Sequence, residues 1–241
     1  MNGQGAINDT ARALFAPLGG DYDRWAAILS FAQDPRWRRH LIGHVPVAPD
    51  ARVLDVATGT GAIARGLVRR YGCSVVGVDQ SPQMLDGARE RIAKAGLADR
   101  IELRLGSAEE IAFEEGSFAG LTTGYLLRYL DDPLATMTHL LRLIRPGAPF
   151  ALLDFGVPPN VVARAAWHLY TGVGLPVLGR LVSPGWADVG RYLRPSIRRF
   201  GRDYPPARLK MLLVEAGGAD VQVQRLSLGG GIVAWGVRAV R

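Results

Sequence analysis

Short apolar runs alternate with stretches of helical spacing through the middle of the chain. Five such runs are bounded by turn residues: "RVLDV", "SVVGVD", "RIELRL", "FAGLTTG" and "PFALLDF". Runs that are apolar on both sides are typical of buried parallel strands, and the segments between them are long enough for helical crossovers. Two further strands, "ADVQVQRLSL" and "GIVAWGVRAV", are separated by a run of three glycines and are therefore predicted to pair as an antiparallel hairpin.

This order of elements predicts one fold class. It is an α/β fold with a doubly wound, seven-stranded, mostly parallel sheet and a C-terminal antiparallel hairpin. Residues 1–50 are predicted to form an N-terminal arm and helices over the active site, with a helix from about Tyr22 broken at Asp34-Pro35. Residues 51–156 and 204–241 would form the ligand-binding core, and 157–203 an inserted lid over the substrate.

The loop after the first strand carries the clearest candidate chemistry. "ATGTGAIA" places Gly59 and Gly61 between a strand and a helix, and Asp79 ends the second strand 20 residues after Gly59. The same spacing occurs in dinucleotide sites, where an acid holds the ribose hydroxyls. Asp55, however, lies four residues before Gly59, and a carboxylate there would repel a pyrophosphate at the helix N-terminus. The positively charged S-adenosylmethionine suits such a loop better.

The predicted cofactor site extends along the carboxyl ends of the strands, where ligands bind in open sheets. Backbone at Gly59 and Gly61 would approach the methionyl part, Asp79 would accept from both ribose hydroxyls, and small residues after the third strand would lie along the adenine. Met84 could cover the ring or simply pack in the core, and Asp79 could be an ordinary acid at a helix start. The predicted cofactor-binding residues are Asp55, Ala57, Thr58, Gly59, Gly61, Asp79, Gln80, Met84, Ser107, Ala108 and Gly124.

Several motifs outside this loop resemble one family. "DYDRWAAILSFAQDPRWRRHLI", "VLDVATGTG", "GVDQSPQML", "LIRPGAPFALLDF", "GRYLRPSIRRF" and "LGGGIVAWGV" are similar to motifs of the ubiquinone/menaquinone-biosynthesis C-methyltransferases, a branch of the class I S-adenosylmethionine-dependent methyltransferases. The likeness runs from about Phe15 to Arg238, and the last two motifs separate this family from other methyltransferases. It implies a class I methyltransferase fold and C-methylation of a prenylated quinol.

The chain also departs from that family. Where the family typically shows Phe-Gly-Leu-Arg-Asn after the fourth strand, this chain has Tyr125-Leu-Leu-Arg128-Tyr129, so the arginine is kept and the asparagine is not. Ala62 stands where an acid usually follows Gly-Thr-Gly. The late glycine run has one residue more than the family's run. The position of the histidine that follows this run in the family falls near Gly236. These changes touch the active-site side and loosen the substrate assignment.

Four residues are the catalytic candidates. Arg128 would stabilise a phenolate on the acceptor, although a surface ion pair with Asp131 or Asp132 is an alternative. Tyr125 and Tyr22 would orient the acceptor, or serve ordinary packing. His168 is a candidate base, although a lone histidine in an aromatic helix is more often structural.

The aromatic-rich segment 157–203 would supply the apolar surface for the acceptor. Its residues expected to face the acceptor are Trp167, Tyr170, Leu175, Val177 and Leu178, followed by Trp186 and Tyr192. Such a surface favours a prenylated or polycyclic aromatic acceptor. A homodimer face is the alternative for the same residues.

Composition narrows the partners and the compartment. The net charge of +7 comes from arginine, since only two of the 29 basic residues are lysines. Without interleaved stacking aromatics or a nucleic-acid motif, nucleic-acid binding is disfavoured, and peripheral contact with an anionic membrane surface fits at least as well. His40 and His44 have helical metal-ligand spacing but no third ligand, so no metal is expected. One cysteine and no signal-like N-terminus favour a cytoplasmic protein.

The leading hypothesis is therefore a methyltransferase that acts on an apolar aromatic, with a quinol ring carbon as the favoured acceptor. O- or N-methylation of a specialised metabolite is the main competitor. A non-catalytic S-adenosylmethionine-binding protein stays open because of Ala62 and Tyr129. A dehydrogenase is disfavoured by Asp55 and by the absence of an obvious Ser-Tyr-Lys set.

Overall fold

A computed structural model describes residues 22–240, except for the side chain of Tyr22. The predicted arm over residues 1–20 lies outside the described residues. The strands are β1 (Arg52–Val56), β2 (Ser74–Asp79), β3 (Ile101–Leu105), β4 (Gly120–Gly124), β5 (Pro149–Phe155), β6 (Gly218–Leu226) and β7 (Gly231–Arg238). They form one seven-stranded sheet in the order β3-β2-β1-β4-β5-β7-β6.

The pairing of the strands confirms the predicted fold class. β1 to β5 pair in parallel, whereas β7 runs antiparallel to both β5 and β6. The strand order reverses between β1 and β4, so the carboxyl ends of these two strands flank the position where open α/β sheets bind ligands.

Nine helices are described in residues 22–240. They are α1 (Tyr22–Leu29), α2 (Gln33–Gly43), α3 (Ala62–Tyr71), α4 (Pro82–Lys94), α5 (Pro133–Leu143), α6 (Val161–Leu169), α7 (Leu175–Val182), α8 (Pro184–Asp203) and α9 (Pro206–Glu215). A π-helical segment, Tyr170–Gly174, joins α6 to α7, and short 3₁₀ turns lie at Leu127–Tyr129 and Ser227–Gly229.

Capping side chains and a glycine define several helix ends. Ser81 caps α4 by accepting from the Met84 N–H, with Pro82 as the first helical residue. Asp132 caps α5 by accepting from the Ala135 N–H. Gly72 ends α3 at φ 69°, a conformation that favours glycine.

The predicted helix break at Asp34-Pro35 is wrong. The chain turns three residues earlier, where Phe31 and Ala32 have φ of 52° and 58°. Asp34 and Pro35 lie in the first turn of α2. Proline is tolerated there because the first helical N–H groups have no partner within the helix.

Alternating strand residues divide the core between the two faces of the sheet. Leu54 and Val56 of β1 lie in a cluster with α5 and α9, whereas Val53 lies in a cluster with α2, α3 and α4. Cys73 belongs to the second cluster; its side chain is fully buried, and burial raises the pKa of the thiol. A third cluster joins Leu29 of α1 to α7 and α8.

Residues 157–203 contain helices and no strand; α7 and α8 pack beside α1, and Phe200 near the end of α8 joins the core cluster on the sheet. The division of the chain into arm, core and inserted lid remains a prediction. Within residues 22–240 no helix combines the length and the apolar character needed to cross a bilayer.

Candidate active site

A cleft opens at the carboxyl ends of β1, β2 and β4, and we call it the glycine-loop cleft. It holds about 1020 Å³ of empty space, including space open to solvent. Most of the predicted cofactor residues line it: Ala57, Thr58, Gly59, Asp79, Gln80, Met84, Ser107, Ala108 and Gly124. The sheet topology therefore brings together side chains that are more than 60 residues apart in sequence.

Asp79 fixes the shape of the loop. Its carboxylate accepts the Gly59 N–H at 2.7 Å and the Ser81 N–H at 2.9 Å. Burial raises the pKa of Asp79, while the hydrogen bonds from the backbone at Ser81, Gly59 and Gln80 oppose that rise. A carboxylate has about four acceptor positions, so Asp79 can still accept from a ligand hydroxyl beside these backbone donors.

The two loop glycines have different roles. Gly59 has φ 54°, and a Cβ there would meet no atom within 4 Å, so its backbone faces open space in the cleft. Gly61 does not line the cleft, which corrects the prediction for it. It turns the chain into α3 at φ 73°, and a Cβ there would lie 3.6 Å from Ala88 and 3.4 Å from Ile92 of α4.

Asp55 does not face the ligand, contrary to the prediction. Its carboxylate is fully buried beneath the loop and accepts from Thr58 Oγ1 at 2.6 Å and Thr122 Oγ1 at 2.7 Å. Burial raises the pKa of Asp55 to about 6, and the two hydroxyl donors oppose that rise. Asp55 thus holds the loop from below. The charge that disfavours a pyrophosphate is that of Asp79, which already occupies the Gly59 N–H.

Arg38 is a cleft residue that the sequence analysis did not assign. It reaches the cleft from α2, and its Nε lies 3.0 Å from Asp34 Oδ1. Its Nη1 lies 3.7 Å from the Asp23 carboxylate. The Trp37-Arg38 pair in the opening motif was the available signal. As a guanidinium in the cleft wall, Arg38 suits a ligand carboxylate.

Asp23 ties α1 to the loop. Its carboxylate accepts from Thr60 Oγ1 at 2.6 Å and lies 3.3 Å from Arg65 Nη2 and 3.4 Å from Arg91 Nε. One acid thus connects α1 with the glycine loop, α3 and α4. Of these partners, Thr60 lines the cleft.

Arg128 lines the cleft as predicted, but its ion-pair partner is neither Asp131 nor Asp132. The guanidinium is buried; its Nη1 lies 3.0 Å from Asp154 Oδ1 and its Nη2 donates to Tyr129 Oη at 2.9 Å. A surface ion pair with Asp131 or Asp132 is therefore wrong. Burial raises the pKa of Tyr129 to about 12, so this phenol, which replaces the family's asparagine, keeps its proton at neutral pH.

Tyr125 lies at the boundary between this cleft and a second one. It follows β4 with φ 63°, its hydroxyl donates to Asp34 Oδ1 at 2.5 Å, and its ring stacks on Phe155 at 4.7 Å between centroids. The second cleft, which we call the aromatic pocket, has about 930 Å³ of empty space between α1, α2, β5 and the helices of 157–203. Tyr125 lines both cavities.

The predicted lid residues separate into two groups. Trp167, Tyr170, Leu175 and Trp186 line the aromatic pocket. Val177 and Leu178 are exposed at 56% and 39%, and Tyr192 stacks on Tyr129, so these three do not line it. For the exposed pair the prediction is wrong, because the sequence did not show which face of the helix points inward.

His168 lies away from both cavities. It is on α6, and its ring Nδ1 is buried without a hydrogen-bond partner. Burial, together with Arg198, Arg194 and Arg164, lowers the pKa of His168. The predicted role as a catalytic base is not supported by this position. The side chain of Tyr22, the fourth candidate, lies outside the described part of the chain.

His40 and His44 contact each other rather than forming part of a larger cluster. Their Nε2 atoms are 3.3 Å apart, and the His44 ring stacks on Trp235. Residues 22–240 contain no group of three or more His, Cys, Asp or Glu side chains arranged for a metal ion.

Comparison with known sequences identifies the family to which this arrangement belongs. The profile of the ubiE/COQ5 methyltransferase family matches residues 4–238, nearly the whole chain. The chain belongs to the ubiE/COQ5 methyltransferase family. It is a methyltransferase, and its cofactor is S-adenosylmethionine, as the motifs around Gly59 and Asp79 predicted.

Relatives from this family align over most of their length. The chain is 32% identical over 226 residues to the ubiquinone/menaquinone biosynthesis C-methyltransferase UbiE of Desulfotalea psychrophila, which covers 93% of this chain and 89% of that protein. It is 33% identical over 219 residues to the demethylmenaquinone methyltransferase of Thermus thermophilus, covering 90% and 96%.

Solved structures share the ubiE/COQ5 fold at lower identity. A putative S-adenosyl-L-methionine-dependent methyltransferase from Methanococcus maripaludis superposes with a TM-score of 0.60 at 17% identity, covering 86% of this chain and 87% of that one. A methyltransferase from Aquifex aeolicus gives a TM-score of 0.56 at 17% identity, covering 84% and 89%. These similarities support the fold assignment alone.

Proposed function

We propose that this enzyme methylates a ring carbon of an apolar, quinol-type aromatic. Two features support the proposal: relatives named for ubiquinone or menaquinone biosynthesis, and an apolar pocket of suitable size beside the cofactor cleft. The observation that carries it is the position of Tyr125. Because this side chain lines both cavities, a methyl donor in one and an aromatic ring in the other would meet beside it.

The aromatic pocket suits a large flat acceptor. Its aromatic lining consists of Phe31, Trp37, Tyr125, Phe155, Trp167, Tyr170 and Trp186. Pockets for apolar ligands are lined mainly by such side chains, with a few polar groups that fix orientation. The polar residues of the lining, apart from the tyrosines, are Ser30, Gln33, Asp34, Thr171 and Ser227.

We propose that the cofactor occupies the glycine-loop cleft. We assign the ribose hydroxyls to Asp79, the adenine to the wall formed by Ser107 and Ala108, and the methionyl carboxylate to Arg38. When bound, S-adenosylmethionine supplies an electrophilic methyl group. The protein's own contribution is to orient the acceptor and exclude water, which can account for about 7–11 kcal/mol of the barrier.

A quinol becomes a better carbon nucleophile when its hydroxyl loses a proton. Asp34 is a carboxylate in the wall of the aromatic pocket, and the Tyr125 hydroxyl donates to it at 2.5 Å. Tyr125 can take the acceptor's proton while passing its own to Asp34. Arg38 Nε donates to the same Asp34 oxygen at 3.0 Å and so fixes the position of this carboxylate.

Arg128 supports this arrangement mainly by position. Its charge is balanced by Asp154, and it lies 5.6 Å from the ring centroid of Tyr125 and 4.8 Å from that of Phe155. We therefore infer that it fixes the stacked pair of rings at the boundary of the two cavities.

Turnover with a defined acceptor tests the proposal. The enzyme would be incubated without oxygen with methyl-labelled S-adenosylmethionine and a short-chain demethylmenaquinol, with the oxidised quinone as matched control. We expect label on a ring carbon, located by NMR, from the quinol only. Label on oxygen would instead support tailoring of a phenolic metabolite. Tight cofactor binding without transfer to any of a panel of quinols and phenols would support a non-catalytic protein.

Asp34→Asn separates chemistry from cofactor binding in the same assay. The amide keeps the size of the side chain and cannot accept a proton at neutral pH, so we expect kcat to fall by about 10²-fold or more. The Kd for S-adenosylmethionine should stay within a few-fold of wild type. An unchanged kcat would remove Asp34 from the proposed proton path.

A further inference from the structure

Residues 161–182 form one continuous helical rod made of α6, the π-helical segment and α7. The junction residues Leu169, Tyr170, Gly174 and Leu175 all have right-handed helical backbone angles. The rod is about 30 Å long at 1.5 Å per residue. One of its sides packs on α8 and lines the aromatic pocket through Trp167, Tyr170 and Leu175, so only the other side faces outward.

The outward side of the rod is almost entirely apolar. Ten positions of residues 161–182 are exposed, and nine of them are Val, Leu or Ala, with Arg180 as the exception. The large exposed side chains are Val161, Val162, Leu169, Val173, Val177, Leu178 and Leu181. Soluble monomers rarely expose so long an apolar ridge, and such ridges mark interaction surfaces.

Basic side chains lie beside the ridge. A groove between the rod and α8 is lined by Arg191, Arg194 and Arg198 of α8 together with Thr171, Gly172 and Pro176 of the rod. Arg194 packs closely over Gly172, where a Cβ would lie 2.9 Å from its Cζ atom. The absence of a side chain at Gly172 therefore leaves the room in which this guanidinium lies along the groove.

The positive charge of this region is largely uncompensated. Residues 157–203 contain seven arginines and two acids, Asp188, which pairs with Arg191, and Asp203, which pairs with Arg202. Neither Arg194 nor Arg198, nor Arg164 on the rod, forms an ion pair with another described residue, and Arg194 Nε is buried without a hydrogen-bond partner. Most of the chain's net charge of +7 is thus located in this segment.

We propose that the rod and the arginine groove dock on the surface of a bilayer that contains anionic phospholipid. An apolar ridge bordered by arginines is the arrangement of helices that lie in the interfacial plane, where the ridge enters the acyl boundary and the cations meet lipid phosphates. Charge complementarity selects this occupant over a second copy of the chain, because two copies would bring two strongly basic segments together.

The proposal also gives the rod a place in substrate delivery, and this part rests on the proposed function. The same helices contact lipid on one side and line the aromatic pocket on the other. A prenylated acceptor could pass from the bilayer beneath the rod without crossing water.

Vesicle flotation of the full chain tests the docking without any acceptor. We expect binding to vesicles of phosphatidylcholine with 30% phosphatidylglycerol, weak binding to phosphatidylcholine alone, and a marked loss in 0.5 M NaCl. Equal binding to both vesicles, or none to either, would overturn the proposal. Since this readout needs no turnover, it stands or falls separately from the methylation chemistry.

Two pairs of matched variants locate the surface. Arg194→Gln with Arg198→Gln should weaken vesicle affinity by more than about tenfold, whereas Arg69→Gln with Arg145→Gln, which removes the same charge elsewhere, should leave it nearly unchanged. Leu169→Ser with Leu181→Ser should cause a similar loss, and Met211→Ser with Val214→Ser, exposed on α9, should not. Melting temperature and S-adenosylmethionine affinity show that each variant is folded.

Two results with these variants would contradict the surface assignment. The first is an equal loss of binding in the test and control variants. The second is a wild-type dimer in sedimentation velocity that Leu169→Ser with Leu181→Ser converts to monomer, since the ridge would then be covered by a second copy.

Discussion

Asp55 is a carboxylate placed where neither solvent nor ligand reaches it. Only the hydroxyls of Thr58 and Thr122 compensate its charge through hydrogen bonds. Burial raises its pKa from 3.8 to about 6. Between pH 3.8 and about 6, the folded protein therefore keeps a proton that the unfolded chain has released. This shift is opposite in direction to that of a salt-bridged aspartate, whose pKa is lowered by folding. The contribution of Asp55 to stability is therefore greatest at low pH and is lost as pH rises to about 6.

Asp55→Asn should remove this pH dependence. The amide keeps both threonine contacts, because each hydroxyl can donate or accept. Relative to wild type, we expect the variant to gain up to about 3 kcal/mol of unfolding free energy between pH 4 and pH 7. Urea unfolding of both proteins at a series of pH values measures the difference. A constant difference across that range would show that Asp55 does not titrate there.

In cofactor binding, Arg38 should be required for the amino-acid end and not for the nucleoside. Arg38→Gln removes the positive charge in the cleft wall and should weaken S-adenosylmethionine binding by about tenfold or more. Methylthioadenosine, which lacks the amino-acid group, should bind the variant and the wild type equally well. Calorimetry with the two ligands checks this. Equal losses for both would mean that Arg38 shapes the cleft instead of contacting the carboxylate.

Residue-level predictions succeeded where the position in the chain fixes the direction of a side chain. Asp79 ends β2, and its place at the sheet edge was sufficient to assign it to the cleft. Asp55 lies inside β1, whose residues 53–56 are all buried, so no polar–apolar alternation shows which way its carboxylate points. Asp154, the partner of Arg128, could not be predicted because strand pairing across 26 residues brings them together.

At the scale of elements, two glycines set the contact between α7 and α8. A Cβ at Gly179 would lie 2.6 Å from the carbonyl oxygen of Trp186, and one at Gly190 would lie 3.0–3.1 Å from the backbone of Leu175 and Pro176. The two backbones therefore approach each other with no room for side chains. This contact holds the pocket-lining side of the rod in place.

Gly179→Ala should force the two helices apart. We expect about 1–3 kcal/mol of destabilisation and a higher KM for the acceptor, with S-adenosylmethionine affinity unchanged because the glycine-loop cleft is built from other elements. Gly43→Ala is the matched control, since a Cβ there would lie 3.8 Å from the nearest atom of Arg70. Steady-state kinetics and thermal melts provide the readouts. A variant with wild-type KM and stability would contradict the close-packing argument.

The strands were predicted well, and the helices outside the sheet less well. Parallel strands buried on both faces leave continuous apolar runs that are easy to recognise between turn residues. The helices of 157–203 carry apolar residues on both their inward and their outward faces. Their periodicity therefore did not reveal that Val177 and Leu178 point away from the pocket. The break between α1 and α2 has no proline or glycine signal, because Phe31 and Ala32 adopt positive φ themselves.

At the scale of the whole molecule, cofactor binding should stabilise the fold. The glycine-loop cleft joins β1, β2, β4 and α2, and Asp23 connects α1 to the same loop, so an occupied cleft holds several elements together. At a concentration 100 times its Kd, S-adenosylmethionine should add about 2.7 kcal/mol, equivalent to a rise in Tm of about 5–10 °C.

NAD at the same concentration should produce no rise, and Asp79→Ala should abolish the response to S-adenosylmethionine. Differential scanning fluorimetry measures all three. Stabilisation by NAD in preference to S-adenosylmethionine would conflict with the electrostatic role given to Asp79.

The position of Cys73 makes it possible to label the protein at a single introduced cysteine. Cys73 is the chain's single cysteine and is fully buried with a raised thiol pKa, so maleimide reagents should leave the native protein unmodified. Val177→Cys would then carry one fluorophore at a known place on the ridge. The emission of an environment-sensitive dye there would report, in real time and on a single protein preparation, when that helix leaves water.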